Sequence, residues 1–420
     1  MPRPRPPSRI DTVTTPLFGI CWYGNPGDGT SIVAYCGGGG SAATGVKNFI
    51  GVRIPGQEFL QITTGDQVGV ALTIVQSPVN EKLYLFVALG TKVLRYSLPD
   101  GKNTGQLEAG DNLNCLSVNA MVDQLAVGCE NGTVKVFNIN DQELGQLPLY
   151  TCEGHEKSVC AVAFSLREHT MVSSAKDGTA RVWKNGNLIG VLTCSIKDPK
   201  AKAPPPKRPP QALVRGCAFG DLDGRLIYTV VSGRRGKAYL SKWGWKDDKY
   251  ECLIRSECSP CPVSAMSLSG DAGLLALGAV DGTIILWGIE RWKPMKSFRE
   301  VHDLPVTCIA ARPFPLPLQG EEDGIQYHAL SASADSQLAY LTLQRRPPRE
   351  KLSSTPYQSV INSLVRIAIL AWVLYPVANE IWDKCEDEWD TQGLAKTWEC
   401  IRYDVLIAPS TRPGILVPPY

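Results

Sequence analysis

The chain has 420 residues and a mass of 45.7 kDa, too long for one small core, so it holds one large repeat fold or two to three ordinary domains. Hydrophobic residues make up 44% and charged residues 20%, a globular composition that excludes a wholly disordered chain. Lys and Arg total 43 against 41 Asp and Glu, and this net charge of +2 excludes a chain built mainly to coat nucleic acid, while 39 Gly and 31 Pro favour strands and turns.

Residues 1–16 open on a basic, Pro-rich stretch, MPRPRPPSR, with no apolar run behind it. It reads as a disordered arm and not as a signal peptide, which leaves the following domain in the cytosol. From residue 17 to residue 344 one pattern recurs: an apolar run, a turn with Gly or Asp, then a second strand-like run. The clearest copies are residues 125–139 (LAVGCENGTVKVFNI), 171–183 (MVSSAKDGTARVW) and 274–287 (LLALGAVDGTIILW). Their turns, Asn131-Gly132, Asp177-Gly178 and Asp281-Gly282, predict two-residue hairpins with positive φ at both central positions. Weaker copies occupy residues 85–98, 227–243 and 329–343, and a distorted one occupies residues 32–54.

Seven copies of about 47 residues each match four-stranded blades, because a single blade cannot bury both of its faces and must stack around an axis. His155 and His302 stand where WD repeats place a Gly-His pair before an apolar strand. The expected fold is therefore an all-β, seven-bladed WD-repeat β-propeller over residues 17–344. The strand beginning at Leu17 is a candidate to close the ring against the last blade. A basic, Pro-rich loop at residues 195–211 interrupts the period as an insertion between blades.

A basic linker follows at residues 345–359. Residues 360–378, VINSLVRIAILAWVLYPVA, hold ten Ile, Leu or Val and the single charge Arg366. At a rise of about 1.5 Å per residue they span about 28 Å, so they read as one transmembrane helix. Arg345, Arg346, Arg349 and Lys351 precede it, and only Lys384 follows closely, which orients the propeller to the cytosol. Residues 379–420 then form a lumenal tail, in which a Cys385–Cys400 disulfide suits the compartment. Most of the other cysteines, such as Cys115, Cys160, Cys217 and Cys308, sit in apolar runs as small buried hydrophobes, and Cys258 and Cys261 lack the partners a zinc site needs.

A propeller is a platform, so function must lie in a departure from the repeat. The departure is in the first blade, where residues 36–49, CGGGGSAATGVKNF, replace a short turn with about a dozen mostly small residues. Such a loop can aim its carbonyls or N–H groups at one point, and it lacks the Gly-Lys-Ser/Thr ending of a P-loop. Four consecutive glycines equally suit a close approach of this strand to the axis.

The GGGGSAATGVKN loop, the seven copies and the near-C-terminal span together resemble the family of ER-membrane guanine-nucleotide exchange factors for Sar-type GTPases that includes the prolactin regulatory element-binding protein. The resemblance implies a guanine-nucleotide releasing factor that promotes GDP release at the endoplasmic reticulum and initiates COPII coat assembly in ER-Golgi transport. It implies a potassium ion wrapped by Gly40, Ser41, Ala42, Ala43, Thr44, Gly45 and Asn48. It also implies that Asn48 inserts into the GTPase, with Val46 and Lys47 beside it; some relatives carry Pro where Lys47 stands. The implied partners are the Sar-type small GTPase, the ER membrane and other COPII-assembly proteins, with no nucleic acid.

The competing reading is a membrane-tethered WD-repeat scaffold for ER export without exchange activity. A DNA-binding regulator lacks a basic helix or zinc finger, and a propeller enzyme lacks a nucleophile or metalloprotease motif around the four histidines, His155, His169, His302 and His328. No bond-making residue is expected.

Overall fold

The computed structural model describes residues 9–25, 29, 31–40, 45–140, 144–167, 169–196, 211–313 and 326–343, together with Tyr375 and Asn379. The chain divides into two units, residues 1–345 and 346–420. In the second unit Tyr375 and Asn379 are helical. Among the described residues no helix is long and apolar enough to cross a membrane. The linker at 345–359 and the span at 360–378, apart from Tyr375, lie outside the described residues. So do the tail at 379–420, apart from Asn379, and residues 197–210 of the insertion.

Among the described residues the first unit is built from strands, in seven antiparallel four-stranded sheets. A first short strand, β1 (Arg9–Thr12), precedes the blades. Blade one is β2 (Leu17–Gly24), β3 (Ser31–Gly37), β4 (Phe49–Arg53) and β5 (Leu60–Thr63). Blade two is β6 (Gly69–Gln76), β7 (Leu83–Leu89), β8 (Lys92–Leu98) and β9 (Asn103–Glu108). Blade three is β10 (Leu113–Val118), β11 (Gln124–Cys129), β12 (Val134–Ile139) and β13 (Leu144–Cys152). Blade four is β14 (Val159–Phe164), β15 (Thr170–Ala175), β16 (Thr179–Lys184) and β17 (Asn187–Thr193). Blade five is β18 (Leu213–Phe219), β19 (Leu226–Ser232), β20 (Ala238–Lys246) and β21 (Lys249–Ser259). Blade six is β22 (Val263–Leu268), β23 (Leu274–Ala279), β24 (Ile284–Gly288) and β25 (Lys293–Phe298). Blade seven is β26 (Val306–Ala311), β27 (Ala329–Ser333) and β28 (Gln337–Leu341), with β1 as its fourth strand.

The first strand of each blade packs against the first strands of its neighbours, and β26 meets β2, so the ring is closed. The core is divided accordingly. Each of seven buried clusters straddles one interface between consecutive blades, including the one between blades seven and one that holds Leu17, Tyr35, Phe49, Leu330 and Leu338. The second strands are the most enclosed; β15 and β23 are buried along their whole length.

Ring closure corrects the sequence expectation. β2 does not complete the last blade; it is the innermost strand of the first, with Leu17 fully buried. The closing strand comes from the arm expected to be disordered, as β1 pairs antiparallel with β28 in the register Arg9↔Tyr340 to Thr12↔Gln337. Burial explains the division: the outer edge of a blade suits the short, polar, mostly exposed RIDT, whereas LFGICWYG suits the crowded axis.

The hairpins also differ from expectation. At residues 129–132 the Gly132 N–H donates to the Cys129 carbonyl (3.3 Å), and only Gly132 has positive φ, +94°. Asn131 instead accepts the Thr133 N–H on its side chain at 2.9 Å. Asp177 and Asp281 treat Thr179 and Thr283 in the same way. An Asx side chain that ties down the following residue favours this longer turn over a two-residue hairpin.

All seven innermost strands carry a β-bulge one or two residues after they begin, which displaces Phe18, Val70, Asn114, Cys160, Arg215, Ser264 and Thr307 from the ladder. Three of these residues bond to the next blade: Asn114 to the Val159 carbonyl (3.2 Å), Ser264 to the Val306 carbonyl (2.6 Å) and Thr307 to the Leu17 carbonyl (2.7 Å). The bulges thus ring the channel at one end, where the connections between blades arrive.

Candidate functional site

In an antiparallel blade the turn between the second and third strands lies at the same end as the connection to the next blade. The loop joining β3 to β4 therefore sits at the bulged mouth of the channel. Its entry is packed tightly. The Gly38 N–H donates to the Pro16 carbonyl at 3.0 Å, and a Cβ on Gly37 would stand 2.0 Å from that same oxygen. Gly38 has a φ of +145°, and a Cβ there would lie 2.2 Å from Asn48 Oδ1. Both positions exclude any side chain.

Asn48 closes the loop. Its Oδ1 accepts the Gly40 N–H at 2.9 Å, and its Nδ2 donates to the Gly40 carbonyl at 3.0 Å and to the Gly65 carbonyl at 2.9 Å. Its own carbonyl accepts the Thr64 N–H at 3.2 Å. One amide thus clasps both peptide groups of Gly40 and links the loop to the connection between blades one and two. The side chain is almost fully buried, with 3% exposed.

The sequence reading has Asn48 projecting into a partner; in this structure its side chain is enclosed. Its amide is turned inward and satisfied by backbone, so in this conformation it braces the loop. Lys47 is exposed and Val46 half-buried beside it, while Gly40 and Gly45 flank the span. Ser41, Ala42, Ala43 and Thr44 lie outside the described residues. Beneath the loop the floor is apolar: Phe49 meets Tyr35 edge-on at 6.0 Å, and burial drives the Cys36 thiol well above its ordinary pKa. Lys47 is the one titratable side chain among the described loop residues, and no nucleophile stands beside a base there.

A potassium ion prefers neutral oxygens, which a loop of small residues supplies from its backbone. Both Asn48 oxygens face N–H donors. Among the described loop residues, the Gly40 carbonyl already accepts the Asn48 Nδ2–H. The sequence signal for the clasp is thin: an Asn eight residues after a glycine, with the other partner residue, Gly65, beyond two further strands.

Two hydrogen-bonded histidine chains lie elsewhere in the ring. In blade four the Trp183 Nε1–H donates to Ser173 Oγ (2.8 Å), Ser173 meets His155 Nε2 (2.8 Å), and His155 Nδ1 meets Asp177 Oδ2 (2.9 Å). The carboxylate can only accept, so the imidazole carries its proton on Nδ1. Blade seven repeats the chain with His302, Ser331 and Asp335, and Leu341 takes the tryptophan's place. Both histidines are buried where the Gly-His pattern puts them.

Residues 146–184, which span most of the last strand of blade three and the first three strands of blade four, match the WD domain, G-beta repeat family. The fold is a seven-bladed WD-repeat β-propeller. Similar proteins include the angio-associated migratory cell protein of Homo sapiens, 26% identical over 47% of this chain and 40% of that protein. The WD repeat and HMG-box DNA-binding protein 1 of Mus musculus is 25% identical over 56% of this chain and 20% of its own length. The periodic tryptophan protein 2 of Arabidopsis thaliana is 26% identical over 48% and 20%. The chain thus spans two fifths or less of the length of these relatives.

Proposed function

We propose that the chain is a guanine-nucleotide exchange factor that promotes GDP release from a Sar-type small GTPase at the ER membrane and so initiates COPII coat assembly. The reading rests on the GGGGSAATGVKN loop, and the observation that carries it is the Asn48 clasp. A loop of small residues, exposed at Gly45 and Lys47, is held at its base by three side-chain hydrogen bonds at the channel mouth. Exchange needs no bond-making group. A partner that binds the nucleotide-free GTPase more tightly than the GDP form weakens GDP by the same factor. A braced loop loses little conformational entropy on docking. Lys47 and Val46 are the described residues that offer contact, and Asn48 is a positioning residue. A potassium ion on the loop carbonyls would supply further rigidity.

The test is GDP release from a Sar-type GTPase with the full chain, in potassium against sodium. The expected result is acceleration that is larger in potassium. Release at the spontaneous rate, with the GTPase still bound, would replace exchange by the scaffold reading.

A further inference from the structure

Turns between first and second strands, and between third and fourth, lie at the end of the ring opposite the Asn48 loop. At that end a cavity of about 300 Å³ opens between blades four and five. Blade four lines it with Thr170 and Lys184, which stand opposite each other on β15 and β16. Blade five lines it with residues 223–225 of the β18–β19 turn, and with Trp245 and Tyr250, paired across β20 and β21. The volume is at the small end for ligand sites, enough for a ring system with a short substituent. The insertion between these blades is attached at the other, bulged end, where β17 ends and β18 begins.

The aromatic walls are held in place. The rings of Trp245 and Tyr250 meet at 4.7 Å and 70°, which makes a corner. The Tyr250 hydroxyl donates to the Gly224 carbonyl at 2.6 Å, and a Cβ on Gly190 of blade four would stand 3.0 Å from the Tyr250 ring. The backbone N–H of Trp245 donates to the Arg225 carbonyl at 2.8 Å. Such a corner suits a flat apolar body, face-on to one ring and edge-on to the other.

The polar groups decide the charge of that body. Thr170 is only 4% exposed, yet among the described residues its hydroxyl has no hydrogen bond. The same holds for the Trp245 indole N–H and the exposed Arg225 guanidinium. The acceptors are engaged: the Gly224 carbonyl holds Tyr250, and Asp223 pairs with Arg167 of blade four at 3.6 Å. A ligand must therefore bring acceptors and negative charge, and a carboxylate matches a guanidinium fork two bonds at a time. A cationic ligand would meet Arg225 and Lys184 instead.

We propose that this cavity binds a small aromatic carboxylate, with its ring in the Trp245–Tyr250 corner and its carboxylate on Arg225 and Thr170. The site does not depend on the exchange reading.

The experiment titrates the full chain with indole-3-acetate, followed by saturation-transfer NMR. Indole-3-acetamide and tryptamine serve as the neutral and cationic versions of the same body. The expected result is a Kd of about 1 mM or tighter for the acetate. Both the amide and the amine should bind about ten-fold more weakly or not at all. Arg225→Gln should weaken the acetate about ten-fold, and Trp245→Leu about five-fold. Arg291→Gln, an exposed arginine in a blade-six turn at the same end, should leave it unchanged. No saturable binding of the acetate overturns the site. Equal binding of the amine overturns the class of ligand, and equal binding by Arg225→Gln overturns the location. Arg225→Gln replaces an exposed side chain, so an unchanged thermal midpoint separates lost binding from lost fold.

Discussion

Asn48 shows how one side chain can organise a loop that its neighbours leave loose. Asn48→Ala would strand the Gly40 N–H and two carbonyls in a nearly sealed place. The expected cost is about 1–3 kcal/mol in urea unfolding, together with a fall of about ten-fold or more in GDP release. Lys47→Ala leaves the clasp intact, so it should reduce release without moving the unfolding midpoint. Unchanged stability in Asn48→Ala would mean that the loop does not depend on the clasp. The serines of the histidine chains offer a paired comparison. Ser173→Ala deprives both His155 and Trp183 of a partner, for about 2–3 kcal/mol. Ser331→Ala deprives only His302, because the Leu341 side chain carries no donor, and should cost about half as much. Equal losses at the two sites would show that the tryptophan bond contributes nothing.

At the scale of elements, the closing strand is the most exposed dependency. β1 is four residues long, yet it joins the start of the chain to β28. Asp11 holds it to the first blade: Arg9 Nε donates to Oδ1 at 2.8 Å and Arg53 Nη1 to Oδ2 at 2.5 Å. Arg53 also donates to the Tyr340 hydroxyl at 2.9 Å, so three strands from both ends of the chain meet at one guanidinium. Removal of residues 1–12 should lower the thermal midpoint and open blade seven to proteolysis near β28. Asp11→Asn, which keeps an acceptor but loses the charge, should have a smaller effect in the same direction. A truncated ring as resistant as the full chain would show that the inner-strand contacts alone close it.

At the scale of the whole molecule, titration follows from burial. Burial opposes ionisation of Asp177 and Asp11, but hydrogen bonds from His155 and Thr179, and from Arg9 and Arg53, outweigh it and hold both below the ordinary value of 3.8. Their stabilisation is complete above that value and is lost as pH falls through the folded pKa values. Burial lowers His302 and His328 from the ordinary 6.5, so folding also loses stability as pH falls below 6.5 and the unfolded chain takes up protons first. Urea midpoints should therefore be flat above pH 7, decline below 6.5, and fall again below 3.8; a flat profile down to pH 4 would refute the histidine part. The thiols follow the same logic. All twelve described cysteines are free, and burial raises Cys21, Cys194 and Cys217 to about 12. Among these twelve, Cys252 alone is exposed and should be alkylated first, as mass mapping of the native protein would show.

The repeat, the number of blades and the buried histidines were legible in the linear order. Alternating apolar runs and Asx-Gly turns are local, and the 47-residue period demands stacking whatever the details. The loop after Cys36 was also visible as a break in that period. Its geometry was not. The partners of Asn48 are Gly40 and Gly65, brought together by the fold of a whole blade, and the inward turn of its amide follows from Gly38 leaving room for it. The closing strand was hidden for a similar reason. Four polar residues beside Pro-rich sequence carry no local signal, and only the far end of the chain, returning 325 positions later in the pairing of Thr12 with Gln337, makes them a strand. Short-range periodicity sets which elements exist; contacts between distant segments set which end seals the ring and which way a buried amide faces.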